Sequence, residues 1–238
     1  MNTGSQAAVP EGLVAAVVDL VDTGPVLLGA YTVAELTAVD AVVDFLEARP
    51  SDDVLAEAVR SLAARELLVA GTGDEQMQVR GDLGIAVAFQ QRARLVLDAR
   101  ATGTRPGEPW RILMLPQPEP ISLMVKIDAL GVHDLGLFPA DDAMEQLVDW
   151  LPRGDVNGRP PDAKTVLDTA ERSALVTVTR YTAQGSAEVA GVSDDLVLAR
   201  QDGKLHAYGR DSADHGRLVP RGLTDDKVRD TLTTMLAA

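Results

Sequence analysis

Apolar positions along the chain fall into helical and strand periods with clear breaks between them. Behind the capping-box pair Thr32 and Glu35, the residues Val33, Leu36, Val39, Val42, Val43 and Leu46 recur every three to four positions, which predicts an amphipathic helix of about four turns. Arg49-Pro50-Ser51 interrupts it, because proline blocks helix continuation and Ser51 can cap a second helix. That helix carries Val54, Leu55, Ala58, Val59 and Leu62 on one face, with Asp52 and Asp53 where the dipole favours negative charge. Residues 67–70 and 76–80 flank Gly71-Thr72-Gly73-Asp74 and read as a hairpin. The order is helix, turn, helix, hairpin, a winged-helix-like element.

Asp82 is expected to cap a short helix through Arg92, after which Ala93, Leu95, Leu97 and Ala99 alternate as in a strand. Residues 102–109 hold two glycines and two prolines and read as a linker. Residues 110–115, 121–127 and 132–138 form three strand-like runs. Pro139-Ala140-Asp141 then opens a helix with Met144, Leu147, Val148 and Leu151 on its apolar side. Beyond a Pro/Gly-rich loop at 152–161, the pattern gives a helical stretch at 163–172 and a strand at 175–179. Residues 183–194, mostly small or polar, read as a mobile loop. A hairpin through Asp202-Gly203 joins 196–201 to 204–208, and 217–220 is a further strand. Thr224-Asp225-Asp226 leads into a last helix bearing Val228, Leu232, Met235 and Leu236. The fold class is therefore α+β, with antiparallel sheets each followed by an amphipathic helix. Asp-Asp opens both helices, which fits an internal pseudo-two-fold repeat and equally fits plain capping chemistry. The units are a disordered lead at 1–10, a helical and hairpin half at 11–101, a sheet plus helix at 110–152 and a second at 162–238, within one compact domain.

Composition narrows the partners. The net charge is −14. Within residues 1–59, Glu11, Asp19, Asp22, Glu35, Asp40, Asp44, Glu47, Asp52, Asp53 and Glu57 face a single cation, Arg49. Such a surface repels duplex DNA, whose sequence-independent affinity comes from neutralising phosphates, so nucleic acid is not an expected partner. No apolar run approaches the ~20 residues of a membrane span, no signal peptide is read at the N-terminus, and the lack of cysteine fits a reducing cytoplasm. Arginine outnumbers lysine, and Ala, Val, Leu, Asp and Gly dominate, a bias of the kind GC-rich actinobacterial genomes produce.

Candidate chemistry is sparse. Asp211, Asp214 and His215 lie close together, but structural zinc calls for four N or S ligands and calcium loops for several oxygens around a glycine turn, so no metal site is assigned. His133 and His206 fall on predicted strands and read as sheet histidines rather than bases. Gly203-Lys204-Leu205 lacks the frame of a P-loop, and no Gly-x-Ser-x-Gly elbow occurs. Arg80-Gly81-Asp82 and Arg153-Gly154-Asp155 read as chance tripeptides. No catalytic residue, cofactor or metal is therefore expected. A second protein is the expected partner, with Trp150, Val228, Leu232 and Met235 the candidate contact residues. The alternatives are a winged-helix-like regulator, and an enzyme or small-ligand binder with a pocket between the two sheets.

The run Ala56-Glu57-Ala58-Val59-Arg60-Ser61-Leu62-Ala63-Ala64-Arg65-Glu66-Leu67-Leu68, a helix entering a strand, resembles a segment of the EspG family of cytosolic chaperones from mycobacterial-type type VII secretion. Glu66 stands where relatives commonly have glycine. Together with the two sheet-plus-helix halves, the resemblance implies a quasi-two-fold α+β protein without catalytic residues that shields the apolar tip of a helical secretion substrate in the cytoplasm.

Overall fold

The computed structural model describes residues 9–41, 49–71, 77–155, 161–184, 187–211, 213–214 and 216–237. In chain order the elements are α1 (Glu11–Val21), β1 (Val26–Thr32), α2 (Val33–Ala38), α3 (Asp52–Ala64), β2 (Leu68–Ala70), β3 (Met77–Val79) and α4 (Gly81–Arg92). They continue with β4 (Leu95–Thr102), β5 (Arg111–Pro116), β6 (Ile121–Ile127), β7 (Val132–Pro139), α5 (Ala140–Trp150) and α6 (Ala163–Thr169). The last are β8 (Arg172–Gln184), β9 (Ala187–Gln201), β10 (Lys204–Arg210), β11 (Leu218–Arg221) and α7 (Val228–Ala237). The protein is α+β, as its periodicities predict.

The two expected sheets are one. Nine strands pair in the order β1-β7-β6-β5-β4-β8-β9-β10-β11, every neighbouring pair antiparallel. The seam is β4 with β8, from Leu95 opposite Arg180 to Thr102 opposite Ser173. Residues 102–109, expected as a linker, form the connection between paired β4 and β5. Gly103 there has φ +69, and a Cβ on it would run into the Glu171 carbonyl, so the loop is held tightly to the start of β8. Of the predicted mobile loop at 183–194, residues 183–184 and 187–194 belong to the long β8–β9 strand pair, whose ladder runs on from Tyr181 opposite Ala190 to Gln184 opposite Ala187. Small and polar residues lack the apolar alternation that marks a strand in sequence, yet a ladder of backbone hydrogen bonds does not depend on it.

Pleating divides the buried side chains between the two faces. On one face α1, α2, α3 and α4 close over Leu28, Tyr31, Leu113, Leu115, Leu123, Val125 and Leu137, with Phe89 of α4 fully buried. Further along the same face α6 packs Val166 against Val197, Ala199 and Tyr208. On the other face α5 and α7 lie side by side over Leu97, Met114, Val176, Val178, Leu196, Leu198 and Leu205.

Several local expectations need correction. The helix opened by Thr32 ends at Ala38 rather than Leu46. Asp40 turns into the left-handed region at φ 56, and the Ala41 N–H donates to the Leu36 carbonyl (2.8 Å), an αL stop. Val42, Val43 and Leu46 lie outside the described residues, as does most of the expected lead at 1–10. Asp82 is in the first turn of α4, not its cap: Arg80 holds that position, and no side chain closes the end. Helix α1 and strand β1 were not among the predicted elements, although Val14, Val17, Val18 and Val21 do repeat at helical spacing.

The capping box at Thr32 does form, and it reaches into α3. Glu35 accepts the Thr32 N–H at 2.9 Å, the Ser61 hydroxyl at 2.8 Å and the Arg65 guanidinium at 2.9 Å. Burial pushes the Glu35 carboxyl up, but these donors outweigh it and hold the group below the ordinary carboxylate range. A depressed carboxyl contributes stability at neutral pH that is lost as pH falls through its folded-state value. In urea denaturation, Glu35→Gln should therefore be less stable than the parent at pH 7, and the gap should close below the ordinary carboxylate range of about 4. A gap of equal size at both ends would sink this account.

Candidate functional site

Among the described residues, one strip of the sheet has no helix over it. On the face shared by α4 and α6, the α4 layer reaches only one end of β4 and β8, at Val96 and Tyr181, and the α6 layer rests on β9 and β10. The contrast within β8 is direct. Ala174, Val176 and Val178 are buried under the opposite layer, whereas Leu175, facing the strip, is 38% exposed and Ser173, Thr177 and Thr179 are half-buried. On β4 the neighbouring Arg100 is exposed as well, while Val96 and Asp98 on the same face are buried.

Register fixes what lines this strip. One row runs from Leu113 on β5 through Asp98 on β4, Thr177 on β8 and Asp195 on β9, ending beside Arg210; the next runs Arg111, Arg100, Leu175, Val197, Tyr208. Arg111 grips Asp98 with both arms, Nε to Oδ1 at 2.8 Å and Nη2 to Oδ2 at 2.7 Å, and Arg100 adds Nη2 to Oδ2 at 2.8 Å. Across the strip, Asp195 accepts the Thr177 hydroxyl at 2.9 Å and the Arg210 Nε at 2.6 Å. In both clusters the carboxylate is sunk and the outer guanidinium, Arg100 or Arg210, is about half exposed. The strip therefore turns positive charge outward on a strongly acidic chain, with Leu175 between two cations.

A second concavity, of about 260 Å³, opens on the α5 face where the β4–β5 loop, the C-terminal end of α5 and the ends of β8 and β9 meet. Trp150 forms part of its wall. The indole Nε1 donates to the Pro109 carbonyl at 3.0 Å and Arg172 lies over the ring at 5.6 Å, so the expected contact residue already has partners within the chain. Val228, Leu232 and Met235, expected as contact residues, are buried in the core beneath α7 and present no surface to a partner. Their helical spacing is that of a packing stripe, and the sheet below takes all three.

The other candidates do not converge on a reaction centre. His133 is buried on β7, its Nδ1 3.0 Å from the Gly131 carbonyl, and burial, with Arg111 nearby, pushes its pKa down. His206 is buried on β10, six strand spacings or roughly 29 Å across the sheet. Asp211 and Asp214 accept the N–H groups of Ala213 and Gly216 in local turns, and His215 lies outside the described residues. Among the described residues no group of three or more His, Asp or Glu side chains could hold a metal, and no helix is long and apolar enough to cross a membrane. A pocket between two sheets has no counterpart here, because the two are continuous. Gly154 of the second Arg-Gly-Asp tripeptide has a packing reason: a Cβ there would come within 2.5 Å of the Gly203 carbonyl.

The sequence reading passed over Asp98, Arg111, Thr177 and Leu175. Their signal was the polar half of each strand's alternation, Asp98 and Arg100 between Leu97, Ala99 and Ala101, and Thr177 and Thr179 beside Val176 and Val178. Compared with known proteins, the chain matches no protein-family model and no curated protein sequence.

Proposed function

We propose that the protein is a non-catalytic, protein-binding adaptor of the cytoplasm, which holds a helical segment of another polypeptide on the strip over β4 and β8. The observation that carries this reading is the missing helix: among the described residues none packs over Leu175, which stands exposed on this face and is flanked by the half-exposed Arg100 and Arg210. The fitting occupant is amphipathic, with an apolar ridge for Leu175 and carboxylates for the two outward cations. The chaperone-like reading within this class is supported by the repeated plan of the halves, each a four-stranded meander preceded by one helix and followed by another.

The test is photo-crosslinking in the source cell. A benzophenone amino acid at Leu175 should give one discrete protein adduct, which Arg100→Glu with Arg210→Glu removes. The same group at Leu130, 88% exposed on the β6–β7 turn, should not give it. No adduct from position 175, or the same adducts from both positions, would overturn the reading.

A further inference from the structure

We propose that the arginine-lined cleft beside Trp150 binds a small phosphoryl oxyanion, free or carried as a monoester. Four of its lining residues are cations from four different segments: Arg105 of the β4–β5 loop, Arg153 after α5, Arg172 at the start of β8 and Arg200 near the end of β9. They face two carboxylates, Glu108 and Asp149. With Glu171, which pairs with Arg200, four guanidiniums meet three carboxylates, a local excess of one positive charge on a chain of net charge −14.

The cleft is organised before any ligand arrives. Arg172 donates to Glu108 at 2.6 Å and to the Trp150 carbonyl at 2.7 Å, which fixes its guanidinium and holds the Glu108 carboxyl below the ordinary range. Its Nε is buried without a hydrogen-bond partner. The loops carrying Arg105 and Arg153 are clamped by Gly103 and Gly154, where the neighbouring backbone leaves no room for a Cβ. Arg105 lies beside the Glu108 carboxylate and helps to lower its pKa, and the pairs Arg153–Asp149 (2.9 Å) and Arg200–Glu171 (3.2 Å) are half exposed, a class that contributes little and exchanges readily.

The ligand class follows from this geometry. A carboxylate is satisfied by a single guanidinium fork, whereas a phosphoryl group offers three or more oxygens and a second charge to cations arriving from several directions. The volume lies just below the usual range of small-ligand pockets, so the anion would bring at most a small organic group with it.

Trp150 is a built-in reporter. The chain has two tryptophans, so a Trp110→Phe background leaves one indole, on the wall of the cleft. Inorganic phosphate and phenyl phosphate, titrated at constant ionic strength with chloride as the balancing anion, should each change its fluorescence saturably. Tighter binding of phenyl phosphate identifies a monoester site, and equal affinity identifies a site for the free ion. Arg105→Gln combined with Arg153→Gln leaves Arg172 and its contacts untouched and should weaken binding about tenfold or more. A response that never saturates, is matched by chloride, or persists unchanged in the double variant would overturn the proposal.

Discussion

Asp98→Ala is expected to destabilise the protein by about 3–5 kcal/mol, the largest effect anticipated for any single polar substitution in the sheet. The reason is what the substitution leaves behind. Arg111 is 4% exposed and meets Asp98 through two hydrogen bonds, so truncating the carboxylate strands a guanidinium away from water. Replacing both members with apolar residues of similar volume, Asp98→Leu with Arg111→Met, should recover most of the loss, because the desolvation cost leaves with the charges. Asp195→Ala should cost clearly less, since Arg210 is half exposed and can be hydrated again. Urea denaturation of the four proteins measures this. A loss below about 1 kcal/mol for Asp98→Ala would place the pair in the surface class and remove the polar floor of the strip as described.

Leu232→Ala is expected to cost about 3–5 kcal/mol, and Leu175→Ala less than about 1 kcal/mol. Both residues are leucines on regular elements, and the difference lies in what surrounds them. Leu232 is fully buried between α7 and the sheet, where truncation opens a cavity; Leu175 is 38% exposed, and its removal opens none. The same pair separates the roles of the two surfaces. Binding of the partner segment should be lost in Leu175→Asp while the thermal midpoint holds. If Leu232→Ala were stable and partner binding vanished with it, α7 rather than the strip would be the contact surface.

Much of the fold was legible because many elements announce themselves locally. The alternation at 95–101, the Asp202-Gly203 turn and the stripes of α5 and α7 are each settled within one element, and the structure has all of them. What the sequence could not show was which strands become neighbours. The continuity of the sheet depends on β4 meeting β8, two segments more than seventy residues apart, and nothing local in Leu97 or Val176 encodes that meeting. The site was hidden for the same reason. An apolar stripe such as Val228, Leu232 and Met235 looks identical whether a sheet or another protein covers it. The pairing of Asp98 with Arg111, and the open band beside it, exist only once the register is known.

The β4–β8 seam has a consequence for how the molecule is made. During synthesis the strands β4 to β7 can pair as they emerge, each with its immediate predecessor, but β4 then ends the ribbon with its backbone groups unpaired until β8 is translated. Over that interval Leu97 and Ala99 lack the residues of β8, β9 and α7 that later complete their core cluster. The nascent chain passes through a stage when its most aggregation-prone border is the line along which the finished protein is joined.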